Sequence, residues 1–321
     1  MQAGTPALRA GGTPAVQGNA MSDETNESAG RVPSSILHYA GFKAVRWLAS
    51  VLPLRTQYAI ARIGAEVYFK LDRSAREAVC ANLRAVRGHD ATPAAIREDA
   101  RRVFHSFGRY LCEFFGFEHF SGQYIDRHVM VQGREHIDAA LKRGRGVLFC
   151  SGHYSNWELG AWAVARMGYP ITAVTLAHAH SKVNALFVRQ RAQRGVKVVH
   201  SHDGVRRVMA LLRDNETVAM LGDRPTGGPT VEVTVFGRKT HLPQGPWRIA
   251  LKTGAALLPT FVIRREENDY ILEIGAPIEI SGYNERDSGV FALAQTWAER
   301  FEERLRSDPA QWEVFFPIWP H

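Results

Sequence analysis

Cysteine is scarce in this chain, and its three cysteines lie far apart. Cys80, Cys112 and Cys150 form neither a disulfide framework nor a CxxC metal-binding pair, so the sequence predicts a protein of a reducing compartment. Cys150 lies in the apolar run GVLFCS, where we interpret it as a small buried hydrophobic residue and not as a nucleophile.

Long apolar runs are also missing. No stretch reaches the roughly 18 apolar residues of a membrane-spanning helix, and residues 1–30 lack the apolar core of a signal peptide. Those residues are rich in Gly, Ala, Pro, Thr and Ser and are predicted to form a disordered tail, with Met21 as an alternative start. Residues 31–321 are expected to form one domain, helical over 31–120 and α/β over 121–321.

Acidic residues are outnumbered by basic ones, which gives a net charge of +8. Residues 1–30 carry one arginine against three acids, so the remainder carries about +10. This charge predicts an anionic partner: phospholipid headgroups, an acidic carrier protein, a phosphorylated cofactor or nucleic acid. The basic residues are scattered and match no nucleic-acid-binding motif, so nucleic acid is not expected.

The N-terminal part is predicted to be helical over 34–72 and 93–117. In the first helix, Lys43, Arg46 and the flanking Trp47 fit either a helix in a membrane interface or one packed on its own domain. The second carries apolar residues at three- and four-residue spacing, which predicts core packing or, alternatively, the wall of an apolar tunnel. These residues are Val103, Phe107, Tyr110, Phe114 and Phe117.

From about residue 128, short apolar runs alternate with helical stretches. The runs include HVMVQG, GVLFCS, ITAVTL, VKVVH and TVAMLGD. This alternation predicts an α/β fold with a mainly parallel central sheet flanked by helices. Three later runs, VEVTVFG, LLPTFVIRR and YILEIG, are expected to add strands, with antiparallel pairing possible among them.

The stretch FCSGHYSNWELG places polar residues directly after an apolar strand. Sites in open α/β sheets form at the carboxyl ends of strands, where His153 is expected. Ser155 or Asn156 can cap the next helix, with Glu158 in its first turn, close enough to orient the imidazole as a general base. On spacing alone, ordinary helix capping by the same residues is the alternative explanation and the more common one.

SGHYSNWE has the His-x₄-Glu arrangement of the HX₄(D/E) acyltransferases and most resembles the lipid A biosynthesis acyltransferase family, whose members include mycobacterial phosphatidylinositol mannoside acyltransferases. The resemblance extends from about residue 34 to the end. It includes FVRQRAQRGVKVV, VMALLRDNETVAMLGDRPTGG and PAQWEVFFPIW, in the order of the family.

The resemblance implies that His153 is the general base and Glu158 the acid of the motif, with Asp223 as a second partner of His153. It places Arg189 in the site, either steadying the acid or binding an anionic group, and Arg224 on a positive rim. Together with Asn156, these two arginines form the predicted substrate-binding set. No cofactor and no metal is expected.

The implied reaction moves a fatty acyl group from acyl carrier protein or acyl-CoA to a hydroxyl of a membrane lipid or glycolipid. Segment 34–54 stands where family members commonly have an anchor helix, but it is basic and interrupted. We therefore expect a peripheral protein on the anionic, cytoplasmic face of a bacterial inner membrane.

Two other enzyme classes compete with this interpretation. HAH at 178–180 and HSHD at 200–203 are His-x-His pairs that a metal-dependent hydrolase could use. Ser151 and Ser155 flank His153, but the chain has no GxSxG motif of a serine hydrolase.

Overall fold

The computed structural model of the chain describes residues 31–32, 35–88, 90–116, 122–225, 227–266, 268–284 and 286–319. The predicted tail at 1–30 and Phe117 of the predicted stripe lie outside these ranges. None of the helices described there is both long and apolar enough to cross a bilayer.

Four helices form the N-terminal part: α1 (Ile36–Val51), α2 (Leu54–Leu71), α3 (Arg73–Arg87) and α4 (Pro93–Phe115). The single helix predicted at 34–72 is thus two, because Pro53 between them has no N–H to continue the helical hydrogen bonds. The side chain of Asp72 caps α3 by accepting from the amide of Ala75 at 2.9 Å, and Thr92 caps α4 in the same way. Helix α3 was not predicted.

The remaining chain alternates strands and helices, as the sequence predicts. The strands are β1 (Arg31–Val32), β2 (Val129–Gln132), β3 (Val147–Ser151), β4 (Ile171–Thr175), β5 (Ala177–His178), β6 (Val196–His200), β7 (Thr217–Leu221), β8 (Thr230–Val235), β9 (Arg238–Pro243), β10 (Ala256–Arg264) and β11 (Tyr270–Ile274). The helices are α5 (Gly122–His128), α6 (Arg134–Lys142), α7 (Trp157–Arg166), α8 (Ser181–Ala192), α9 (Ser201–Arg213), α10 (Gly245–Thr253) and α11 (Asp287–Ser307).

Seven strands form the central sheet in the order β2-β11-β10-β3-β7-β4-β6. The five strands from β10 to β6 are parallel, whereas β11 pairs antiparallel with β10 and parallel with β2. The predicted mainly parallel sheet with flanking helices is therefore confirmed. Of the three later runs, β10 and β11 pair antiparallel with each other, as expected, whereas β8 forms a separate antiparallel hairpin with β9.

Both faces of the sheet are covered, which explains why its central strands are apolar at successive positions. In β3, Val147 and Phe149 pack toward one face, with helices α4, α7 and α8, while Leu148 and Cys150 pack toward the other, with α9, α10 and α11. A third core cluster lies among α2, α3 and α4. This frame leaves the carboxyl ends of β3 and β7 side by side.

Candidate active site

The register of two neighbouring strands brings His153 and Asp223 together. Ser151 at the end of β3 pairs with Leu221 at the end of β7, and the two site residues follow two positions later. The imidazole Nδ1 of His153 donates to Oδ1 of Asp223 at 2.7 Å, and the His153 amide donates to Oδ2 at 2.9 Å. The predicted contact between these residues is present.

Gly152 permits this close approach. A Cβ atom at this position would lie 2.7 Å from the ring of Phe301 and 3.3 Å from Cβ of Asp223. Any larger residue would push the His153 loop away from β7, so the glycine before the histidine is required by packing.

Asp223 is fully buried and accepts three hydrogen bonds. Besides the two from His153, the indole Nε1 of Trp312 donates to its Oδ2 at 3.0 Å. Burial alone would raise the pKa of Asp223, but His153, Arg224 and the Trp312 hydrogen bond outweigh it and lower the pKa to about 2. Asp223 is thus a permanent carboxylate that fixes the orientation of His153.

His153 is held as a neutral base. Because Asp223 accepts from Nδ1, the lone pair of Nε2 is available, and no described residue occupies Nε2 with a hydrogen bond. Burial lowers the pKa of His153 below its usual 6.5, with Asp223 opposing the shift and Arg224 adding to it. The side chain is 11% exposed, which leaves it accessible from one side. This arrangement can take a proton from a bound hydroxyl.

Glu158 makes no hydrogen bond to His153 among the described contacts. It lies in the first turn of α7 and forms a buried, bidentate ion pair with Arg191 of α8, whose Nη2 is 2.6 Å and Nε 3.0 Å from its carboxylate oxygens. Burial alone would lower the pKa of Arg191, but the Glu158 carboxylate outweighs the effect of burial and raises the pKa. The expectation that Glu158 orients the imidazole is therefore wrong; Asp223 makes that contact.

Arg191, which the sequence interpretation missed, takes the place considered for Arg189. The two residues are two positions apart on α8 and therefore point to nearly opposite sides of the helix. Arg189 is exposed and lines a surface depression with residues of α1. One signal for Arg191 was available in the sequence: it lies one helical turn after Phe187, beside the buried face of α8. Binding of an anionic group by Arg189 stays a prediction.

Asn156 has a structural task in place of the predicted substrate contact. Its Oδ1 caps α7 by accepting from the amide of Leu159 at 3.0 Å, and its Nδ2 donates to Glu113 at 2.7 Å. The residue is fully buried, so in this conformation it positions α7 and does not reach a substrate. Glu113 also pairs with Arg264, at 2.9 Å, and accepts from two tyrosine hydroxyls.

Arg224 lies beside the His153–Asp223 pair, as predicted for a positive rim. Its guanidinium is 5.4 Å from the ring centre of Phe316, and no carboxylate in the described parts of the chain forms an ion pair with it. Burial lowers its pKa, with Asp223 opposing. A half-buried cation beside His153, without an ion-pair partner among the described residues, can stabilise negative charge that develops there.

Aromatic rings separate His153 from an apolar groove. Trp157 meets the His153 ring edge to face at 5.0 Å, Tyr110 stacks on Trp157 at 4.5 Å, and Phe107 stacks on Tyr110 at 6.0 Å. Beyond Phe107, a groove of about 340 Å³ runs between α1, α2 and α4 and is lined almost entirely by apolar side chains. The predicted aromatic stripe thus serves both the core and the wall of this groove.

The segment after α11 also forms part of the site. The amide of Glu313 donates to the carbonyl of His153 at 2.7 Å, and the amide of Ser155 donates to the carbonyl of Gln311 at 2.7 Å. Ser155 adopts a positive φ of 52°, which turns the chain from β3 into α7. The aromatic sequence QWEVFF gave no local signal of this role, because it depends on a contact across the whole domain.

The residues that the structure describes do not assemble the sets that the competing enzyme classes need. Among the residues that the structure describes, no three His, Cys, Asp or Glu side chains are grouped to hold a metal; the side chains of His202 and Asp203 are outside that description. His200 bonds Thr175 at 3.3 Å. No hydrogen bond joins His153 to a serine in the described ranges, so a serine–histidine pair is not formed there.

The chain is similar to several known proteins. The family model described as bacterial lipid A biosynthesis acyltransferase matches residues 25–320. The phosphatidylinositol mannoside acyltransferase of Mycobacterium tuberculosis is 29% identical over 235 residues, 71% of this chain and 72% of that protein. The enzyme of the same description from Mycolicibacterium smegmatis is 27% identical over 301 residues, 90% of this chain and 94% of that protein.

A solved structure is also similar, but only distantly. The 1-acyl-sn-glycerophosphate acyltransferase PlsC from Thermotoga maritima superposes with a TM-score of 0.37 and 14% identity, covering 79% of this chain and 98% of that one.

Proposed function

Because the chain belongs to the bacterial lipid A biosynthesis acyltransferase family, we propose that it transfers a fatty acyl group from a thioester donor, acyl carrier protein or acyl-CoA, to a hydroxyl of a membrane lipid or glycolipid. The observation that carries the proposal is the His153–Asp223 pair at the joined ends of β3 and β7, with Nε2 of His153 open. The mycobacterial relatives named above support a glycolipid acceptor.

In the proposed reaction, Nε2 of His153 accepts the proton of the acceptor hydroxyl as its oxygen attacks the thioester carbonyl. Asp223 stabilises the imidazolium that forms. The tetrahedral intermediate collapses by breaking the carbon–sulfur bond, and the imidazolium returns its proton to the departing thiolate. The products are an ester and a thiol, and neither a metal nor an enzyme-bound acyl intermediate is required.

Two arginines support the reaction from different places. Arg224, beside His153 and without an ion-pair partner among the described residues, would stabilise the negative charge on the thioester oxygen. Arg191 acts at a distance, since its pairing with Glu158 fixes the first turn of α7 and with it Trp157, which contacts the His153 ring. We assign Glu158 and Arg191 as positioning residues.

The apolar groove between α1, α2 and α4 supports a lipid substrate. Its lining combines small residues such as Gly64 and Gly108 with the aromatic Phe107 and Phe115, a surface suited to an acyl chain. Successive ring contacts through Tyr110 and Trp157 connect Phe107 to His153. We propose that the groove holds one of the acyl chains that the enzyme handles.

A peripheral position on the cytoplasmic side of a bacterial inner membrane is proposed for the enzyme. Helix α1 supports it, since only Ala49 of its residues is buried and apolar side chains such as Leu37 and Trp47, 79% and 63% exposed, face outward. The basic body of the protein fits both an anionic leaflet and an acidic carrier protein.

The test is acyl transfer by the purified protein to lipid acceptors, followed by mass spectrometry, with acyl carrier protein and CoA thioesters compared as donors. His153→Ala should abolish transfer while the protein stays folded. His105→Ala is the matched control, because His105 also contacts a carboxylate, that of Glu66 at 2.7 Å, but lies on α4 away from the site. Equal activity of both variants would refute the proposal.

A further inference from the structure

A basic depression lies on one flank of α1. Its lining consists of α1 residues and one residue of α8: Lys43, Ala44, Arg46, Trp47, Ser50 and Arg189. The cavity measures about 670 Å³ and is open to solvent on one side. Three of its lining residues are cationic and none is acidic, so the depression concentrates positive charge in a small volume.

Two of the three cations lack an ion-pair partner among the residues that the structure describes. Neither Lys43 nor Arg189 forms an ion pair with any described carboxylate, and α1 contains no acidic residue along its 16 residues. Holding like charges next to one another costs free energy unless an anion joins them. A planar guanidinium with an ammonium group beside it is suited to a phosphate, which accepts several charge-assisted hydrogen bonds.

The surroundings of the depression point to a lipid source for that phosphate. Large apolar residues are exposed toward both ends of α1: Leu37 is 79% exposed near its start, and Trp47 and Val51 are 63% and 55% exposed in its last turns. Exposed apolar patches of this kind, next to cations and a tryptophan, are typical of helices that lie in a membrane interface. The apolar groove is on the opposite flank of α1, so the helix separates a basic from an apolar surface.

We propose that this depression binds the phosphate of an anionic phospholipid headgroup while the outward side of α1 rests in the leaflet. Lys43 and Arg189 hold the phosphate, Trp47 lies at the level of the headgroups, and binding has a defined stoichiometry. The inference rests on the proposed function only in assuming that the enzyme works at a membrane. The site is separate from the reaction centre, since Arg189 faces away from the Glu158–Arg191 pair on the same helix.

Vesicle flotation of the full chain tests the site. Vesicles of phosphatidylcholine alone are compared with vesicles that also contain phosphatidylglycerol. The double variant Lys43→Gln/Arg189→Gln should weaken binding to the anionic vesicles by about tenfold or more, because each lysine or arginine close to an anionic membrane surface contributes strongly to the affinity for it. Lys142→Gln/Arg143→Gln is the matched control: it also removes one exposed lysine and one exposed arginine, but at the end of α6.

The outcomes separate this site from its alternatives. Equal losses in both double variants would show that only diffuse surface charge attracts the protein, which overturns the proposal. Unchanged vesicle binding, with transfer lost only from the carrier-protein donor, would reassign the depression to docking of that acidic protein and also overturn it. His153→Ala should bind vesicles as the unaltered protein does, so failure of the reaction mechanism and failure of the lipid site are distinguishable.

Discussion

Trp312 donates its indole N–H to the carboxylate of Asp223 at 3.0 Å, across 89 positions of sequence. The same short segment bonds the main chain of the His153 loop, through the amide of Glu313. The segment after the last helix therefore contacts both residues of the proposed reaction centre, and Trp312 positions the carboxylate that is bonded to the His153 imidazole.

Replacing Trp312 by phenylalanine tests that role, because it keeps a large apolar ring and removes only the N–H. Asp223 loses one of three donors, so its pKa rises and its attraction for the His153 imidazolium increases. Because the carboxylate is then held less firmly and orients the imidazole less well, we expect kcat/KM to fall about tenfold, equivalent to a loss of ~1.4 kcal/mol. The raised pKa of Asp223 should also move the acid limb of the pH profile to higher pH.

Trp319→Phe is the control. Trp319 is buried near Trp312, at 6.1 Å between ring centres, but its N–H has no hydrogen-bond partner among the described residues. This variant should change neither kcat/KM nor the pH profile. If both variants behave alike, the effect at Trp312 is one of packing.

The pH dependence of the reaction should reflect the burial of His153. The base works only when neutral, and burial lowers its pKa below 6.5. Activity should therefore persist as pH falls through 6.5 and decline only at lower pH. A pH profile of kcat/KM measures this directly, and an acid limb above 6.5 would contradict it.

Asp223→Asn extends the same test. The amide removes the negative charge that raises the pKa of His153, so the acid limb should move to still lower pH. It also destabilises the imidazolium and the required tautomer, so kcat should fall by about 10³-fold or more. A variant with nearly full kcat would show that Asp223 does not support the base.

Arg191→Gln should destabilise the fold, because it leaves the Glu158 carboxylate buried without its cation. Breaking a buried pair from one side costs about 3–5 kcal/mol, measurable by urea denaturation. Arg189→Gln, two positions away on the exposed side of α8, should change the free energy of unfolding by less than ~0.5 kcal/mol. Similar effects of the two substitutions would contradict the assignment of the pair.

Glu113 joins the N-terminal helices to the sheet, and Glu113→Gln tests this link. The carboxylate accepts from Tyr58 at 2.9 Å, Tyr270 at 2.6 Å, Asn156 at 2.7 Å and Arg264 at 2.9 Å. The amide keeps the shape but leaves Arg264 without its counter-charge, so we expect a loss of about 3 kcal/mol in the free energy of unfolding. Glu66→Gln, at the half-exposed pair with His105, should cost less than ~1 kcal/mol.

The features that the sequence predicted well are those with a local signal. Apolar runs that end in polar residues marked β3 and β7, and therefore His153 and Asp223. That the two residues contact each other depends on the order of the strands in the sheet, which local spacing could not provide. The contact itself was implied by the resemblance to a family.

The features that sequence interpretation missed depend on helix phase and on distant contacts. Arg189 and Arg191 are nearly equivalent by position, and only the orientation of α8 decides which one faces Glu158. Asn156 looked available for a substrate because its bond to Glu113 comes from another helix, 43 positions away. The role of Trp312 was missed for the same reason, because Asp223 is 89 positions away in the sequence.

The equal offset of His153 and Asp223 from the paired ends of β3 and β7 has a consequence for design. The main-chain ladder, and not the intervening chain, sets the distance between base and carboxylate. Changes in the length or sequence of the chain between the two strands that keep the β3–β7 ladder intact should therefore leave the two side chains within hydrogen-bonding distance.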